Sequence, residues 1–175
     1  MEDVAWRYYP PHEIPNATLQ KVIEIFREKY ESIRSDKYRL KSNEVLQQLR
    51  PALTAEGFRV ESGKGYSEKV EIPVLFGPNG ETKKCFDADA YRRDLGIVLE
   101  VEAGRAVSNY QFLKDVFEAC VMDGVNYLAI GVRKTYTAGK IVQKDFETVT
   151  SKFLSVLYAS PRLKLPLQGI LVVGY

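Results

Sequence analysis

Residues 86–105, FDADAYRRDLGIVLEVEAGR, constrain the fold most, because two short β-type runs there carry alternating acids on either side of a tight turn. Side chains alternate between the two faces of a strand, so Asp87 and Asp89 would share one face. The same holds for Glu100 and Glu102 in the second run. The link is short enough for a hairpin that brings the two acidic pairs side by side. Burying these acids among IVLEVEA costs several kcal/mol unless a positive charge lies between them, so the stretch indicates a divalent metal ion.

Composition limits the classes of protein that remain. A chain of 175 residues suits one compact domain, and we find no linker, internal repeat or low-complexity segment that would divide residues 1–175. The formal net charge of +2 argues against a strongly basic nucleic-acid coat, so a nucleic-acid site must rest on local charge. The chain shows neither a signal-peptide pattern nor an apolar segment of membrane-spanning length. We therefore expect a soluble cytoplasmic protein that does not enter a membrane.

The rare residue types also narrow the chemistry. His12 is the only histidine, which excludes zinc sites built on several histidines. Its proline-rich surroundings lack the partner motif of a Ser-His-Asp hydrolase, and we expect it in an exposed loop. The two cysteines, Cys85 and Cys120, are expected to be buried, reduced thiols rather than a disulfide or a metal site.

Helical periodicity predicts two helices before the acidic stretch. Asn16 is placed to cap the first, whose apolar stripe covers residues 19–33. Ser42 is placed to cap the second and Gly57 to end it, while Pro51 predicts a kink or break near its middle.

From residue 58 the apolar period changes to two, which predicts strands. The Asn-Gly pair at Asn79 and Gly80 favours a type I′ hairpin turn between two of them. These two strands and the run that carries Glu100 form a predicted three-stranded meander. The predicted strands cover residues 58–60, 70–76, 84–91 and 97–103.

A helix and a buried strand follow the meander. Ser108 and Gln111 have capping-box spacing, and Gly124 is placed to end the helix. Residues 125–132 are almost all apolar, as in a strand buried on both faces, so we expect a crossover back onto the same sheet. The residues predicted to line the buried face of this helix are Phe112, Leu113, Val116, Phe117, Cys120 and Val121.

The chain ends with another helix and strand, since Asp145 opens a helical pattern and residues 169–174 form an apolar run. The predicted core order is helix, three strands, helix and strand, preceded by a helix and followed by a helix and a strand. This order predicts an α/β fold in which helices flank a central mixed β-sheet.

That order of elements, with Asp in the second strand of the meander and Glu-Val-Glu in the third, resembles the PD-(D/E)XK nuclease superfamily, which includes many type II restriction endonucleases. The resemblance covers about residues 42–132 and implies a restriction-endonuclease-like αβββαβ core. The family's Glu-x-Lys reads Glu100-Val101-Glu102 here, so the family lysine is missing from its place. The proline that usually precedes the aspartate is also missing. Residues 89–105 look most like the branch of the family with Glu-x-Glu or Glu-x-Gln.

The resemblance assigns roles to individual acids. Asp89 carries the family's metal-binding aspartate, Glu100 the second metal ligand, and Glu102 takes the position that lysine usually holds. Asp87 is an alternative to Asp89, because both are placed on one face of the predicted strand. Glu44 matches the acid that the family's first core helix sometimes supplies.

Hydrolysis of a phosphodiester by water needs an acidified water molecule and neutralisation of the charge that builds on the phosphoryl oxygens. Hard oxygen ligands select Mg²⁺ or Mn²⁺ for this purpose. Asp89 and Glu100 would hold the ion, and Glu102 would complete its shell or accept a proton from the attacking water. We expect burial and crowding to raise the pKa of at least one of these acids when no metal is bound.

Double-stranded DNA, the substrate that the resemblance implies, requires cationic contacts to phosphates. Residues 132–144 contain several cations and no acid, and they should emerge from the buried strand near the acidic hairpin. Lys134 in this segment is the alternative to Glu102 as the replacement for the missing lysine. The predicted phosphate contacts are Arg92, Arg93, Arg105, Arg133, Lys134, Lys140 and Lys144.

The sequence therefore favours a Mg²⁺-dependent deoxyribonuclease of the type II restriction class. Such enzymes usually act as homodimers that cut both strands of a palindrome, and residues 19–33 are a candidate dimerisation or DNA-flanking helix. One alternative is a non-catalytic nuclease-fold protein that binds nucleic acid or a protein partner. Another is a small α/β structural or regulatory protein whose acids are surface charge.

Overall fold

A computed structural model describes residues 3–63, 65–104, 106–138 and 141–175. Helices flank a mixed central sheet, which confirms the predicted α/β fold class. The elements, in chain order, are β1 (Ala5–Tyr9), α1 (Ala17–Ile33), α2 (Ser42–Ala55), β2 (Arg59–Val60), β3 (Val70–Phe76), β4 (Thr82–Ala88), β5 (Ala90–Arg92), β6 (Ile97–Glu102), α3 (Gln111–Val121), β7 (Tyr127–Val132), β8 (Tyr136–Ala138), β9 (Ile141–Gln143), α4 and β10 (Gly169–Gly174). Helix α4 begins with Asp145–Glu147, passes through a π-helical segment at Thr148–Leu154 and ends with Ser155–Ala159.

The central sheet has six strands in the order β1, β10, β7, β6, β5, β2. Strands β6, β7 and β10 are parallel neighbours, whereas β1, β5 and β2 each pair antiparallel. The parallel pairing of β6 with β7 across α3 is the crossover that the sequence predicts. Parallel pairing places the carboxyl ends of β6 and β7 together, so Glu102 lies opposite Val132.

The sheet separates two hydrophobic cores. Helices α1 and α2 cover one face, to which Leu99 and Val101 of β6 point. Helices α3 and α4 and the β3–β4 hairpin cover the other face, to which Val98 points. Because neighbouring residues of a strand alternate between faces, Glu100 and Glu102 point with Val98 toward α3.

The predicted three-stranded meander is divided between two sheets. Strands β3 and β4 form a separate antiparallel hairpin, whose turn has positive φ angles at Asn79 (60°) and Gly80 (77°), as the Asn-Gly pair predicts. The chain then bends at Asp89, and β5 continues alone into the central sheet. The single strand predicted over residues 84–91 is therefore two strands joined by a bend.

Other predicted boundaries need correction. No strand was predicted before the first helix, but β1 pairs with β10 at the edge of the sheet. Helix α2 continues through Pro51. The Ser42 hydroxyl accepts a hydrogen bond from the backbone N–H of Ala103, at 3.2 Å, instead of capping α2. Among the described residues, no helix has the length and apolarity needed to cross a membrane.

Candidate active site

Asp89 lies at the bend between β4 and β5, where the ladder between β5 and β6 ends at the pair Ala90 and Leu99. The next free donor of β6, the backbone N–H of Val101, donates a hydrogen bond to Asp89 Oδ2 at 2.7 Å. The carboxylate thus replaces a missing strand partner. Burial raises the pKa of Asp89 to about 7; the Val101 hydrogen bond lowers it, and the charge of Glu61 adds to the rise.

Glu100 is the central acid of the site. Its side chain points from β6 toward α3 and is mostly buried. Burial raises the pKa of Glu100 well above its usual value, and the surrounding carboxylates raise it further because each disfavours a second negative charge. The carboxylates whose charges act on Glu100 are, from the largest effect to the smallest, Asp89, Asp115, Glu102 and Glu118.

Helix α3 adds two acids that the sequence analysis missed. Asp115 and Glu118 are only 4% and 8% exposed, and they share the sheet-facing side of the helix with Phe112, Val116 and Ala119. Burial raises the pKa of Asp115 to about 7. Asp115 and Glu118 are three residues apart and share a helix face with these apolar residues, so helical spacing could have identified them from the sequence.

This orientation corrects the predicted buried face of α3. Phe112 and Val116 are buried as predicted, but Phe117 is 60% exposed, and Leu113 and Val121 are also exposed. The helix is rotated so that its acids, rather than this second apolar stripe, meet the acids of β6. Phe117 instead contacts the ring of Phe86 on the β3–β4 hairpin, with ring centroids 6.4 Å apart.

Asp115 has an oxygen without a hydrogen-bond partner. Its Oδ2 is buried and no donor among the described residues reaches it, while Oδ1 accepts a long hydrogen bond from Gln111 Nε2 at 3.4 Å. A buried carboxylate oxygen normally finds a donor or a cation, because leaving it unpaired costs about 1–3 kcal/mol or more. The oxygen therefore marks a position that suits a cation.

Lys114 is a cation whose charge acts on the acids of α3. Its Nζ forms an ion pair with Glu118 at 3.0 Å, and its charge lowers the pKa of Asp115. The charges of Asp115 and Glu100 in turn raise the pKa of Lys114. Lys114 was not predicted to be a site residue, because it lies outside the segment predicted to be basic.

The structure separates Asp87 from Asp89. Asp87 lies before the bend, on the exposed part of β4, with 46% of its side chain accessible, and it forms an ion pair with Lys69. The expectation that Asp87 and Asp89 share one face of a strand is therefore wrong, because the strand ends between them. Of these two aspartates, Asp89 is among the acids whose charges are recorded as acting on Glu100, and Asp87 is not.

Glu44 and Glu102 occupy different settings. Glu44 is exposed on the first turn of α2, where its Oε2 accepts a hydrogen bond from the backbone N–H of Lys41 at 2.6 Å. It stabilises the start of that helix. Glu102 lies on the same face of β6 as Glu100, and its charge raises the pKa of Glu100.

Two predicted phosphate contacts after β7 are turned away from the acids. Arg133 is 5% exposed, donates a hydrogen bond to the carbonyl of Leu40 and lies against the ring of Tyr136. Lys134 Nζ donates to the Tyr30 hydroxyl at 2.9 Å, on the α1 side of the sheet. Neither cation is among the groups whose charges are recorded as acting on Glu100.

The remaining predicted contacts are scattered. Arg92 forms an ion pair with Asp94 at 3.3 Å, and Lys144 forms one with Glu147 at 3.2 Å. Arg93 is exposed at the turn after β5, beside a cavity that Tyr91 of β5 also lines. Arg105 and Lys140 lie outside the described residues.

The donors present fit a hard divalent cation. In the described part of the chain, no three acidic, histidine or cysteine side chains converge around one point as metal ligands. Mg²⁺ usually binds through one or two carboxylates and keeps several waters, unlike structural Zn²⁺, which needs four protein ligands. Asp89 and Glu100 on neighbouring strand ends, with the unpartnered Asp115 oxygen behind them, match this mode of binding.

Comparison of the chain with protein-family models, curated proteins and solved structures finds no match. The resemblance to the PD-(D/E)XK superfamily in residues 42–132 therefore remains a prediction from the sequence. The acids that the fold brings together indicate a function independently of these comparisons.

Proposed function

We propose that the protein is a divalent-metal-dependent endonuclease of the PD-(D/E)XK type that hydrolyses phosphodiester bonds in double-stranded DNA. The observation that carries this proposal is that carboxylates from three separate parts of the chain lie near enough to Glu100 for their charges to raise its pKa. Asp89 comes from the bend, Glu100 and Glu102 from β6, and Asp115 and Glu118 from α3. We call these five residues the acid cluster.

The acid cluster costs stability in the absence of a cation. Asp89 and Asp115 both have pKa values raised to about 7, so at neutral pH each carboxyl resists ionisation. One pKa unit corresponds to about 1.4 kcal/mol of difference between the two protonation states. Among the described residues, no salt bridge reaches Asp89, Glu100 or Asp115, and a ligand that carries positive charge would explain a fold that gathers these three acids.

A bound Mg²⁺ or Mn²⁺ would acidify a water molecule and neutralise charge on the phosphoryl group. Asp89 and Glu100 would hold the ion, with Asp89 kept in position by the Val101 N–H. Asp115 Oδ2 and Glu102 would accept hydrogen bonds from water near the ion, and one of them would take the proton of the attacking water. Lys114 would contribute the positive charge that the lysine of the Glu-x-Lys motif supplies in other members of the superfamily.

Cations around the acid cluster would contact the phosphates of the substrate. Lys69 pairs with Asp87, Lys114 pairs with Glu118, and Arg50 donates a hydrogen bond of 2.7 Å to the carbonyl of Glu61. These replace the predicted basic segment after β7 as the candidate phosphate contacts. A homodimer of restriction type, in which each copy cuts one strand, is part of the proposal.

The decisive assay follows cleavage of supercoiled plasmid and phage DNA in Mg²⁺, in Mn²⁺ and in EDTA. The wild-type protein is expected to cut in either metal and not in EDTA, while Glu100→Gln is expected not to cut. Glu44→Gln is a matched control, because Glu44 is an exposed glutamate that caps α2. Equal cutting by wild type and Glu100→Gln would remove the proposed active site, and an absence of cutting by the wild type on all substrates would remove the proposed function.

A further inference from the structure

A cavity of about 480 Å³ lies between the β3–β4 hairpin and the edge of the central sheet. It is in the size range of pockets that bind small organic molecules. One wall is residues 70–73 of β3, and the opposite wall comes from β2, from β5 and the turn after it, and from the loop before β7. The lining residues are Arg59, Val70, Glu71, Ile72, Pro73, Tyr91, Arg93 and Asp123.

The charged groups of this cavity are unpaired. In the described part of the chain, neither Arg59 nor Arg93 has a carboxylate within ion-pair distance, and neither Glu71 nor Asp123 has a cation within it. Arg59 spends one N–H group on the carbonyl of Lys69, at 2.7 Å, which fixes the guanidinium and leaves its other donors available. The cavity therefore offers both cationic donors and anionic acceptors to a ligand.

The tyrosine of the cavity lies among these charges. Tyr91 is partly buried and lines the cavity together with Arg93 and Asp123. Of the apolar residues of β3 at the same space, Pro73 is partly exposed, whereas Val70 and Ile72 are only 2% and 1% exposed. A flat ring beside Tyr91 and Pro73 would have donors and acceptors at its edge.

The cavity adjoins the acid cluster along the chain. Tyr91 follows Asp89 by two residues, which is about 7 Å along an extended strand. Glu71 lies opposite Asp87 in the β3–β4 ladder. A strand of nucleic acid whose phosphate lies at Asp89 would thus place a neighbouring nucleotide at the mouth of the cavity.

We propose that this cavity binds one guanine nucleotide unit, a choice of ligand that rests on the proposed function. The arginines bind its phosphate or the O6 and N7 acceptors of the base, which are the usual arginine contacts to guanine. The adjacent N–H donors of guanine at N1 and N2 match a carboxylate such as Asp123. Adenine and cytosine present an exocyclic amine beside an acceptor nitrogen, and thymine presents a single N–H between two carbonyls. None of them offers two adjacent N–H donors, so they fit a carboxylate less well.

Calorimetric titration of the full chain with the four 5′-deoxynucleoside monophosphates in EDTA tests this inference without relying on cleavage. We expect dGMP to bind more tightly than dAMP and dCMP, and dTMP to bind most weakly. Arg93→Gln and Arg59→Gln should each weaken dGMP binding about tenfold or more, as expected for charge-assisted hydrogen bonds. Arg7→Gln, at an exposed arginine of β1, is the matched control and should bind as the wild type does.

Two further arms separate the possible sources of the ligand and the possible failures. Competition by the oligonucleotide d(TTGTT) would show that the unit lies within a strand, and its absence, with dGMP still bound, would show that the ligand is the free nucleotide. Glu100→Gln should keep dGMP binding even where it has lost cleavage, so the two proposals fail independently. No binding of any nucleotide at millimolar concentration, or unchanged dGMP binding by Arg93→Gln, would overturn the inference.

Discussion

The carboxylate of Asp89 accepts a hydrogen bond of 2.7 Å from the backbone N–H of Val101, and this bond ties the bend after β4 to the strand that carries Glu100 and Glu102. Asp89 is therefore held by the backbone of β6, the strand that also supplies Glu100 and Glu102. Such positioning matters because metal ligands and catalytic groups must be kept within a fraction of an ångström of their working geometry.

Asp89 and Asp87 give a matched pair for testing this arrangement. Asp89→Asn keeps an oxygen for the Val101 N–H but loses the charge, so metal-dependent cleavage should fall by about 10²-fold or more. Asp87→Asn removes an exposed ion pair with Lys69, and such pairs contribute roughly 0–1 kcal/mol, so cleavage should change little. Initial rates of plasmid nicking measure both. The assignment of Asp89 would fail if Asp87→Asn were the more damaging substitution.

The acid cluster predicts an unusual dependence of stability on pH. The pKa values of Asp89 and Asp115 are raised to about 7, above the value of about 3.9 for an unfolded aspartate. Between these values the folded state binds more protons than the unfolded state, so the free energy of unfolding falls as pH rises from about 4 to 7. In EDTA, the melting temperature should therefore be lower at pH 8 than at pH 5.

The same experiment has two internal checks. Mg²⁺ should raise the melting temperature at pH 8, because it binds the ionised carboxylates of the folded protein. Asp115→Asn should reduce the pH dependence, since it removes one of the buried carboxyls whose pKa is raised. A melting temperature that rises from pH 5 to pH 8 in EDTA would contradict the description of the acid cluster.

Lys114 tests whether helix α3 takes part in the chemistry. Lys114→Gln removes a cation from among the acids, so Mn²⁺ should bind no more weakly, while the cleavage rate at saturating metal should fall by roughly 10²-fold. Lys144→Gln serves as the control, because Lys144 pairs with Glu147 on the surface at α4. Equal rates for the two variants would show that Lys114 only balances charge.

Arg133 should matter for stability instead of DNA binding. Its guanidinium is buried, and the two carboxylate oxygens of Asp145 have no hydrogen-bond partner among the described residues. Burial raises the pKa of Asp145 to about 6, and the charge of Arg133 acts against this rise. Arg133→Gln would remove that charge and the hydrogen bond to the carbonyl of Leu40, at a cost of about 1–3 kcal/mol. Urea unfolding at pH 7 measures the loss. A variant of normal stability with weakened DNA binding would favour the original assignment as a phosphate contact.

Several strands could be predicted from the sequence, because their alternating or fully apolar patterns are strong. Strands β3 and β10 have the predicted bounds, and the crossover from β6 to β7 is parallel as expected. The bend at Asp89 was not predictable from the pattern, because Ala88 and Ala90 continue the alternation through it. Only the packing of the β3–β4 hairpin as a separate layer separates Asp87 from Asp89.

Helix α3 shows why part of the site was missed. Its sequence has two apolar stripes, one with Phe112, Val116 and Ala119 and one with Leu113 and Phe117, and periodicity does not decide which faces the sheet. The choice depends on what the sheet presents, which here is Glu100. The cations after β7 were misplaced for a similar reason, since a segment that leaves a sheet edge can turn to either face.

Titration of the purified protein with Mn²⁺, followed by calorimetry at pH 7.5, measures whether Glu100 holds a metal ion. Glu100→Gln removes a buried negative charge and should fold at least as well as the wild type, so a loss of binding cannot be attributed to unfolding. The account predicts saturable Mn²⁺ binding by the wild type that weakens by at least about tenfold in Glu100→Gln. Identical Mn²⁺ binding by the two proteins, or no binding by either, would contradict a metal site built on Glu100.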